Sequence, residues 1–339
     1  MGVPPLRRYT WFEKGKGIMA NKTTTSDGVE IRHTPLSTKI WNYRGYYLMF
    51  VPVIIFVLIV YYWPMLGIRY AFYEYKAVSL MGPKFIGLKH FQDMFAKPAF
   101  WTAFKNTLQL SVLKLIITTF TAVVASVFLN EMNNIFAKKS LQTIIYLPHF
   151  MSWAVVAGIF SMLLAPTSTG MVNGILKDMN VIPAAQNGIY FLAEKAWWRP
   201  IFYIINIWKE TGWGTIIFLA TLSGINPELY EAADIDGATR LQKIWNVTVP
   251  ALTNTIITVL ILNLAKVMNL FESVFVLQNS AVYDVSDVIS TYIYRQTFGG
   301  GNPEYGYSTA VGLFKSLVGG ALVITCNQLS KKTRGRGIV

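Results

Sequence analysis

Six stretches of this chain are too long and too apolar to sit comfortably in water. A helix that crosses a bilayer needs about 20 mostly apolar residues. The sequence supplies candidate spans at Tyr46–Leu66, Leu108–Leu129, Leu141–Ala165, Ile201–Leu222, Ala251–Leu277 and Ser308–Leu329. In the first, Val51–Tyr62 is almost wholly apolar. The third is interrupted by Pro148 and His149. The last three are more polar: the fourth carries Asn206, Lys209 and Glu210, the fifth Asn263, Lys266, Asn269 and Glu272, and the sixth Lys315. Only 14% of the residues are charged, against about 25% in an ordinary soluble domain. Backbone polar groups in lipid must be satisfied within the segment, which selects helices here. The expected fold is an all-α integral membrane protein with six transmembrane helices.

The scarce charges are unbalanced, with 30 Lys and Arg against 17 Asp and Glu. In a soluble protein such an excess points to nucleic acid. In an apolar chain it points to loops retained on the cytoplasmic side. With the N-terminus inside, segments 1–45, 130–140, 223–250 and 330–339 carry 16 basic residues. Segments 67–107, 166–200 and 278–307 then lie outside and carry 10. The remaining four, Lys114, Lys209, Lys266 and Lys315, fall within spans. Twelve of the 30 sit in the two terminal segments, so both termini are expected in the cytoplasm and nucleic acid is not an expected partner. The six basic residues of 67–107 run against the rule. Trp197 and Trp198 fit an outer aromatic belt. The chain then divides into a basic, flexible tail (1–45), a first helix (46–66), an outer loop (67–107), a five-helix core (108–329) containing a cytoplasmic loop (223–250), and a basic end (330–339). No short apolar core with a cleavage site precedes the first span, so no removable signal peptide is expected.

Motifs for chemistry are absent from the sequence. There is no phosphate-binding Gly-x-x-x-x-Gly-Lys-Ser/Thr, no Gly-x-Gly-x-x-Gly and no His-Glu-x-x-His. The three histidines, His33, His90 and His149, are scattered, and the single cysteine, Cys326, excludes an internal disulfide. The chain is expected to be no enzyme and to bind no cofactor or metal itself. In the sixth span, Gly312, Ser316 and Gly320 recur every four residues, a spacing that lets another helix approach closely.

The segment richest in information is 224–250. Asn226 is a good N-cap and Pro227 suits the first helical position. Glu228 favours the positive helix start. Asp236-Gly237 provides a break where the chain can turn left-handed. A second short helix is expected to reach Trp245, with Pro250 starting the fifth span. Ala232 and Ala233 give a flat face on which a partner could dock. Glu231-Ala232-Ala233, then Gly237, then Val247-x-Val249-Pro250 resembles the coupling loop of binding-protein-dependent ABC importer permeases. The family prefers Ile and Leu where this chain has Val247 and Val249. Asp236-Gly237-Ala238 is similar to the sugar-transporting, maltose-permease-like branch. The tracts 146–153, 288–295 and 308–316 look like its LplB-like polysaccharide and oligosaccharide subgroup.

That resemblance, covering about residues 46–330, implies a type I importer permease fold in a heteromeric machine in the bacterial cell membrane. Two permeases form the path. Two cytoplasmic ATP-binding subunits hold ATP and Mg, and an extracytoplasmic solute-binding protein delivers an oligosaccharide. The loop residues Glu231, Ala232, Ala233, Asp236, Gly237 and Ala238 would dock on the ATPase, with Glu231 pairing a basic residue there.

Charged and polar groups in hydrocarbon are unfavourable unless they face a cavity or a partner. On the fourth span Asn206, Lys209, Glu210 and Trp213 share one helical face. On a continuous fifth helix Asn263, Lys266, Asn269 and Ser273 would share a roughly 120° arc, with Glu272 about 60° further round. Amides and carboxylates read sugar hydroxyls and an aromatic ring covers an apolar sugar face. The same groups could instead pair across helices, for instance Lys266 with Glu210. By resemblance, Asn206, Glu210 and Trp213 match sugar contacts of the maltose-type permease, with Glu210 replacing a small residue. Four lysines within spans could suit an acidic oligosaccharide. The competing class is an ion-coupled secondary transporter of a polar solute, but inverted repeats typical of such folds are not evident.

Overall fold

The computed structural model describes residues 21–24, 30–33, 36–75, 82–167, 170–183, 187–300 and 303–334. They fall into two compact units, Met1–Gly67 and Ile68–Val339. In the first, strands β1 (Asn21–Thr24) and β2 (Glu30–His33) pair antiparallel. Helix α1 (Leu36–Asn42) follows, and then the long helix α2 (Arg44–Phe72) begins. The tail expected to be flexible therefore holds a hairpin and a helix. Arg7, Arg8, Lys14, Lys16 and Arg336 lie outside the described residues. Helix α2 loosens into a π turn at Leu58–Tyr62 and tightens into 3-10 winding at Leu66–Phe72.

In the second unit a small hairpin, β3 (Tyr73–Glu74) with β4 (Lys84–Phe85), precedes helix α3 (Lys89–Ala96). With β1 and β2 it makes four very short strands among the described residues, and the chain is otherwise helical, the all-α membrane protein expected. Helix α4 (Pro98–Asn130) starts ten residues before the expected second span. Pro98 supplies the reason, since a proline is pre-set for the first helical turn. The third span is not one rod. Helix α5 (Ile135–Phe150) and helix α6 (Trp153–Leu163) meet at a 102° bend. Pro148 lacks an N–H and forces 3-10 winding over Leu147–Phe150. Ser152 then caps α6 by accepting from the Val155 N–H.

Helix α7 (Met171–Asp178) leads to helix α8 (Lys195–Leu222). Helix α9 (Pro227–Ile235) and helix α10 (Arg240–Leu264) follow. Pro250 stands in the first turn of the regular segment Val249–Leu264, but the helix itself begins earlier, at Arg240. The proline lies inside α10, just beyond a π turn at Ile244–Thr248 in which the Val249 N–H reaches back to the Ile244 carbonyl. The wider winding removes the carbonyl clash that a proline otherwise makes four residues back. The fifth span also breaks, correcting the single helix expected over Ala251–Leu277. It ends at Leu264, turns as 3-10 through Val267–Asn269 and resumes as helix α11 (Glu272–Leu277). Helix α12 (Ile289–Phe298) and helix α13 (Tyr305–Arg334) complete the chain.

Among the described residues four helices are long and apolar enough to cross a membrane: α2, α4, α10 and α13. The bent α5–α6 pair makes a fifth. Two apolar clusters hold the α4 start. One gathers Leu110, Trp198, Phe202, Val274 and Val288, the other Phe100, Met268, Tyr292 and Tyr307. A third holds its far end, with Ala122, Leu129, Phe218, Leu222 and Leu252. Between these plugs the facing walls of α4, α8 and α10 stand apart.

Candidate functional site

That gap is a cavity of about 700 Å³. From α4 it is lined by Ser111, Lys114, Thr118 and Thr119, from α8 by Glu210 and Trp213, and from the bend by Trp153. The broken fifth span contributes Asn263, Lys266, Asn269 and Glu272. These four are spaced by three residues. An α-helix would rotate each by about 60° from the last, whereas 3-10 winding stacks residues i and i+3 on one face. The chain makes that change here: the Lys266 N–H donates to the Asn263 carbonyl and the Asn269 N–H to the Lys266 carbonyl. Leu270 is then extended and Phe271 turns the chain, which brings Glu272 to the same wall. Among the described residues, no hydrogen bond or ion pair engages the side chains of Asn263, Lys266, Asn269 or Glu272. Their donors and acceptors face the cavity. The Lys266–Glu210 pair that the sequence allowed is not formed.

On α8 the expected face divides. Glu210 and Trp213 reach the cavity, but Asn206 and Lys209 do not. Asn206 is fully buried and donates to the Phe202 carbonyl of its own helix, 2.7 Å away. Lys209 is buried too, and its Nζ donates to the His149 carbonyl at 2.9 Å. The bend deprives that carbonyl of a normal helical donor, and Lys209 supplies one. Its ammonium also lies 5.3 Å from the centre of the Trp153 ring.

The His149 ring stacks on Trp213, with centroids 4.9 Å apart and planes 11° apart. Its Nδ1 lies 3.4 Å from a Glu210 carboxylate oxygen, close enough for attraction when the imidazole is protonated but not aligned as a hydrogen bond. Glycines permit this crowding. A Cβ on Gly212 would strike the Ile145 backbone, and one on Gly214 would come within 2.7 Å of the Ala122 Cβ. By contrast, nothing in the described chain lies within 4 Å of a Cβ at Gly312 or Gly320. Within the described chain the close helix approach is made at α8. Lys114, Trp153 and the hydroxyls of α4 join the expected residues in the cavity wall. A lone lysine in the most apolar part of α4, with Ser111 and Thr118 on the same face, was the available signal.

The second feature is the elbow between α8 and α10. The Asn226 side chain accepts from the Glu228 N–H at 3.1 Å, as its N-cap position required. Helix α9 closes on Gly237, whose φ of +72° is in the left-handed region. The Gly237 N–H donates to the Asp234 carbonyl and the Ala238 N–H to the Ala233 carbonyl, the two bonds of a Schellman stop. Thr239 and Gln242 then form a capping box that starts α10. Lys243 pairs with Asp234 at 2.6 Å and the Tyr230 hydroxyl meets Thr248 Oγ1 at 3.0 Å, so the arms are fixed to each other. The outer face remains open: Glu231, Ala232 and Asp236 are exposed, Ala233 and Ala238 half-buried, and Ile235 is 87% exposed.

Residues 122–334 match the family described as binding-protein-dependent transport system inner membrane component. The chain belongs to that family. It is therefore a membrane transport component, a permease, and the matched region holds the elbow together with the α8 and α10 walls of the cavity. Among curated relatives, the polygalacturonan/rhamnogalacturonan transport system permease protein YteP of Bacillus subtilis is 39% identical, over 89% of this permease and 92% of that protein. Protein LplB of the same organism is 38% identical, over 86% and 90%. The fold is similar to a chain of the bacterial alginate ABC transporter crystallised in complex with an alginate pentasaccharide-bound periplasmic protein. The TM-score is 0.80 at 38% identity, over 89% of this permease and 99% of that chain. The type I importer permease fold follows from this likeness.

Proposed function

We propose that this permease forms one half of the membrane path of an ATP-driven importer for oligosaccharides or polysaccharide fragments, acidic ones among them. The observation that carries the reading is the cavity. Its walls offer unpaired amides, an unpaired carboxylate and ammonium groups beside two indoles, the mixture that reads hydroxyls and covers a sugar face. The relatives' polysaccharide substrates support the same class. In this reading the chain crosses the membrane six times with both termini in the cytoplasm. Helix α8 is the fourth span: 28 residues extend about 42 Å, long enough to cross, and its charged residues face the interior. A second permease closes the cavity. Two cytoplasmic ATP-binding subunits, holding ATP and Mg, receive the elbow through Glu231, Ala232 and Ala233, with Gly237 as its turn. An extracytoplasmic solute-binding protein delivers the sugar. Glu210, Trp213, Asn263, Lys266 and Asn269 contact it, while Asn206 and Lys209 hold the wall from behind.

The test uses the complete complex in vesicles. Alanine at Glu210, Trp213, Asn263 and Lys266 is expected to lower uptake and substrate-stimulated ATP hydrolysis. Unchanged uptake in correctly assembled variants would refute the path. Glu231→Lys is expected to release the ATP-binding subunits during purification. Transport by this chain alone, without ATP, would favour an ion-coupled transporter instead.

A further inference from the structure

The four lysines within the spans meet different fates. Lys209 is spent on the His149 carbonyl and Lys315 on Ser290 Oγ, 3.0 Å away. Lys266 is exposed at the break in the fifth span. Lys114 is half-buried in the α4 wall, and among the described residues its ammonium has no hydrogen bond and no ion pair. It lies 5.9 Å from the centre of the Trp153 ring, the ring that Lys209 also approaches. The acid within electrostatic reach, Glu210, makes no ion pair with it and lies 3.4 Å from His149 Nδ1. A cation withdrawn from water without a counter-charge is unfavourable, and an aromatic face compensates only in part.

A second group waits beside it. Ser111 lies one turn before Lys114 on the same face, and its Oγ is buried without a partner. Thr118, one turn after, directs its hydroxyl to the Lys114 carbonyl and so keeps off the ammonium. The wall thus presents a free ammonium, a free hydroxyl and an indole side by side. An ammonium suits a carboxylate, a hydroxyl suits a sugar hydroxyl, and an indole suits the apolar face of a pyranose ring.

We propose that Lys114, with Ser111 and Trp153, forms a subsite that selects sugars bearing a carboxylate, and that Lys114 is its specificity-determining residue. This rests on the cavity being the sugar path.

The test compares an oligouronate with its methyl ester, which has the same rings and length without the charge. Both are imported by the complete complex in vesicles, using a delivering protein verified to load both. The acid-to-ester import ratio of Lys114→Gln is divided by that of the wild type, which cancels the preference of the delivering protein. The ratio is expected to fall roughly tenfold to a hundredfold, the scale of one charge-assisted hydrogen bond. Lys114→Arg is expected to retain it within about threefold, because the charge stays. If the ratio is unchanged in Lys114→Gln, including where both imports fall together, the lysine holds the bundle or pairs with the second permease and the proposal is overturned. Should that variant fail to assemble, Lys114→Cys carries the test. A thiol reagent that adds an ethylammonium group restores the ratio and a neutral one does not; equal ratios overturn the proposal. A wild type that imports ester as readily as acid refutes the Lys114 subsite alone. A wild type that imports neither, with ATP and a loaded delivering protein, refutes the sugar path itself.

Discussion

Gly212 is the point where helix α8 presses against the end of α5, and its replacement separates two effects of opposite sign. Alanine is the better helix former by about 1 kcal/mol. At an uncrowded helical glycine this gain should appear unopposed, and Gly158 in α6, with nothing within 4 Å of a Cβ, is such a site. At Gly212 the new Cβ would stand 2.8 Å from the Ile145 carbonyl carbon and 2.9 Å from the Tyr146 Cα. Comfortable carbon–carbon separations are about 3.5–4.0 Å, so α8 and α5 must part by roughly 1 Å. Both obstacles are backbone atoms, which cannot swing away as a side chain can. Overpacking of this kind costs about 1–3 kcal/mol. The net expectation for Gly212→Ala is a loss of up to ~2 kcal/mol, against a gain of up to ~1 kcal/mol for Gly158→Ala. Thermal midpoints of the assembled complex in detergent measure the difference. Import should suffer more than stability does, because Glu210 and Trp213 flank Gly212 and move with it. A Gly212→Ala complex as stable as Gly158→Ala would show that the α5–α8 contact is not tight and would refute the packing argument.

Gly237→Ala meets open space, so its effect isolates the left-handed φ; a cost of roughly 1–2 kcal/mol should appear as weaker retention of the ATP-binding subunits at rising denaturant, and Gly237→Asn should lose less. Lys209→Met strips the donor from the His149 carbonyl and should cost about 1–3 kcal/mol of stability while leaving the acid-to-ester import ratio unchanged. The Lys243–Asp234 pair is partly solvated, at 22% and 60% exposure; a double-mutant cycle should give roughly 0.2–1 kcal/mol, diminishing with added salt.

Local chemistry was easy to read in the sequence wherever one residue decides one bond. Asn226 caps α9 and Gly237 ends it because each effect needs only its own neighbours. The breaks were harder. Pro250 lies within a helix because the π turn just before it, Ile244–Thr248, absorbs its clash, and nothing in the pattern of apolar residues announces that turn. The fifth span was read as a continuous α-helix, which left Glu272 off the face of Asn263 and Lys266. A period of three in those polar residues was visible, and it is the signature of 3-10 winding rather than of an α-helix. The small-residue pattern at Gly312 and Gly320 was a false lead within this chain. The glycine that does touch backbone, Gly212, stands without a repeat. Close approach depends on the opposing helix, whose position no local sequence specifies.

The residues that weaken the span signal are those that build the cavity. Helix α8, at 28 residues, is longer than α10 with 25, a recognised span, yet Lys209 and Glu210 lower its apolar character. One of these charges satisfies a carbonyl freed by the neighbouring bend, and the other faces the cavity beside a stacked histidine. The fifth span behaves alike: Lys266, Asn269 and Glu272 shorten its apolar run because that run is interrupted by the cavity wall. Helix α4 makes the contrast. It carries two lysines, Lys105 and Lys114, and still reads as a span, because so few charges hardly lower the mean hydropathy of so long an apolar helix. Hydropathy therefore recognises a helix by its long apolar run, whether or not one face meets the cavity, and passes over α8, whose charges serve the cavity and the bend. In a chain of this kind, a span made doubtful by charge is the first place to look for the site, and an isolated lysine in an otherwise clear span is the second.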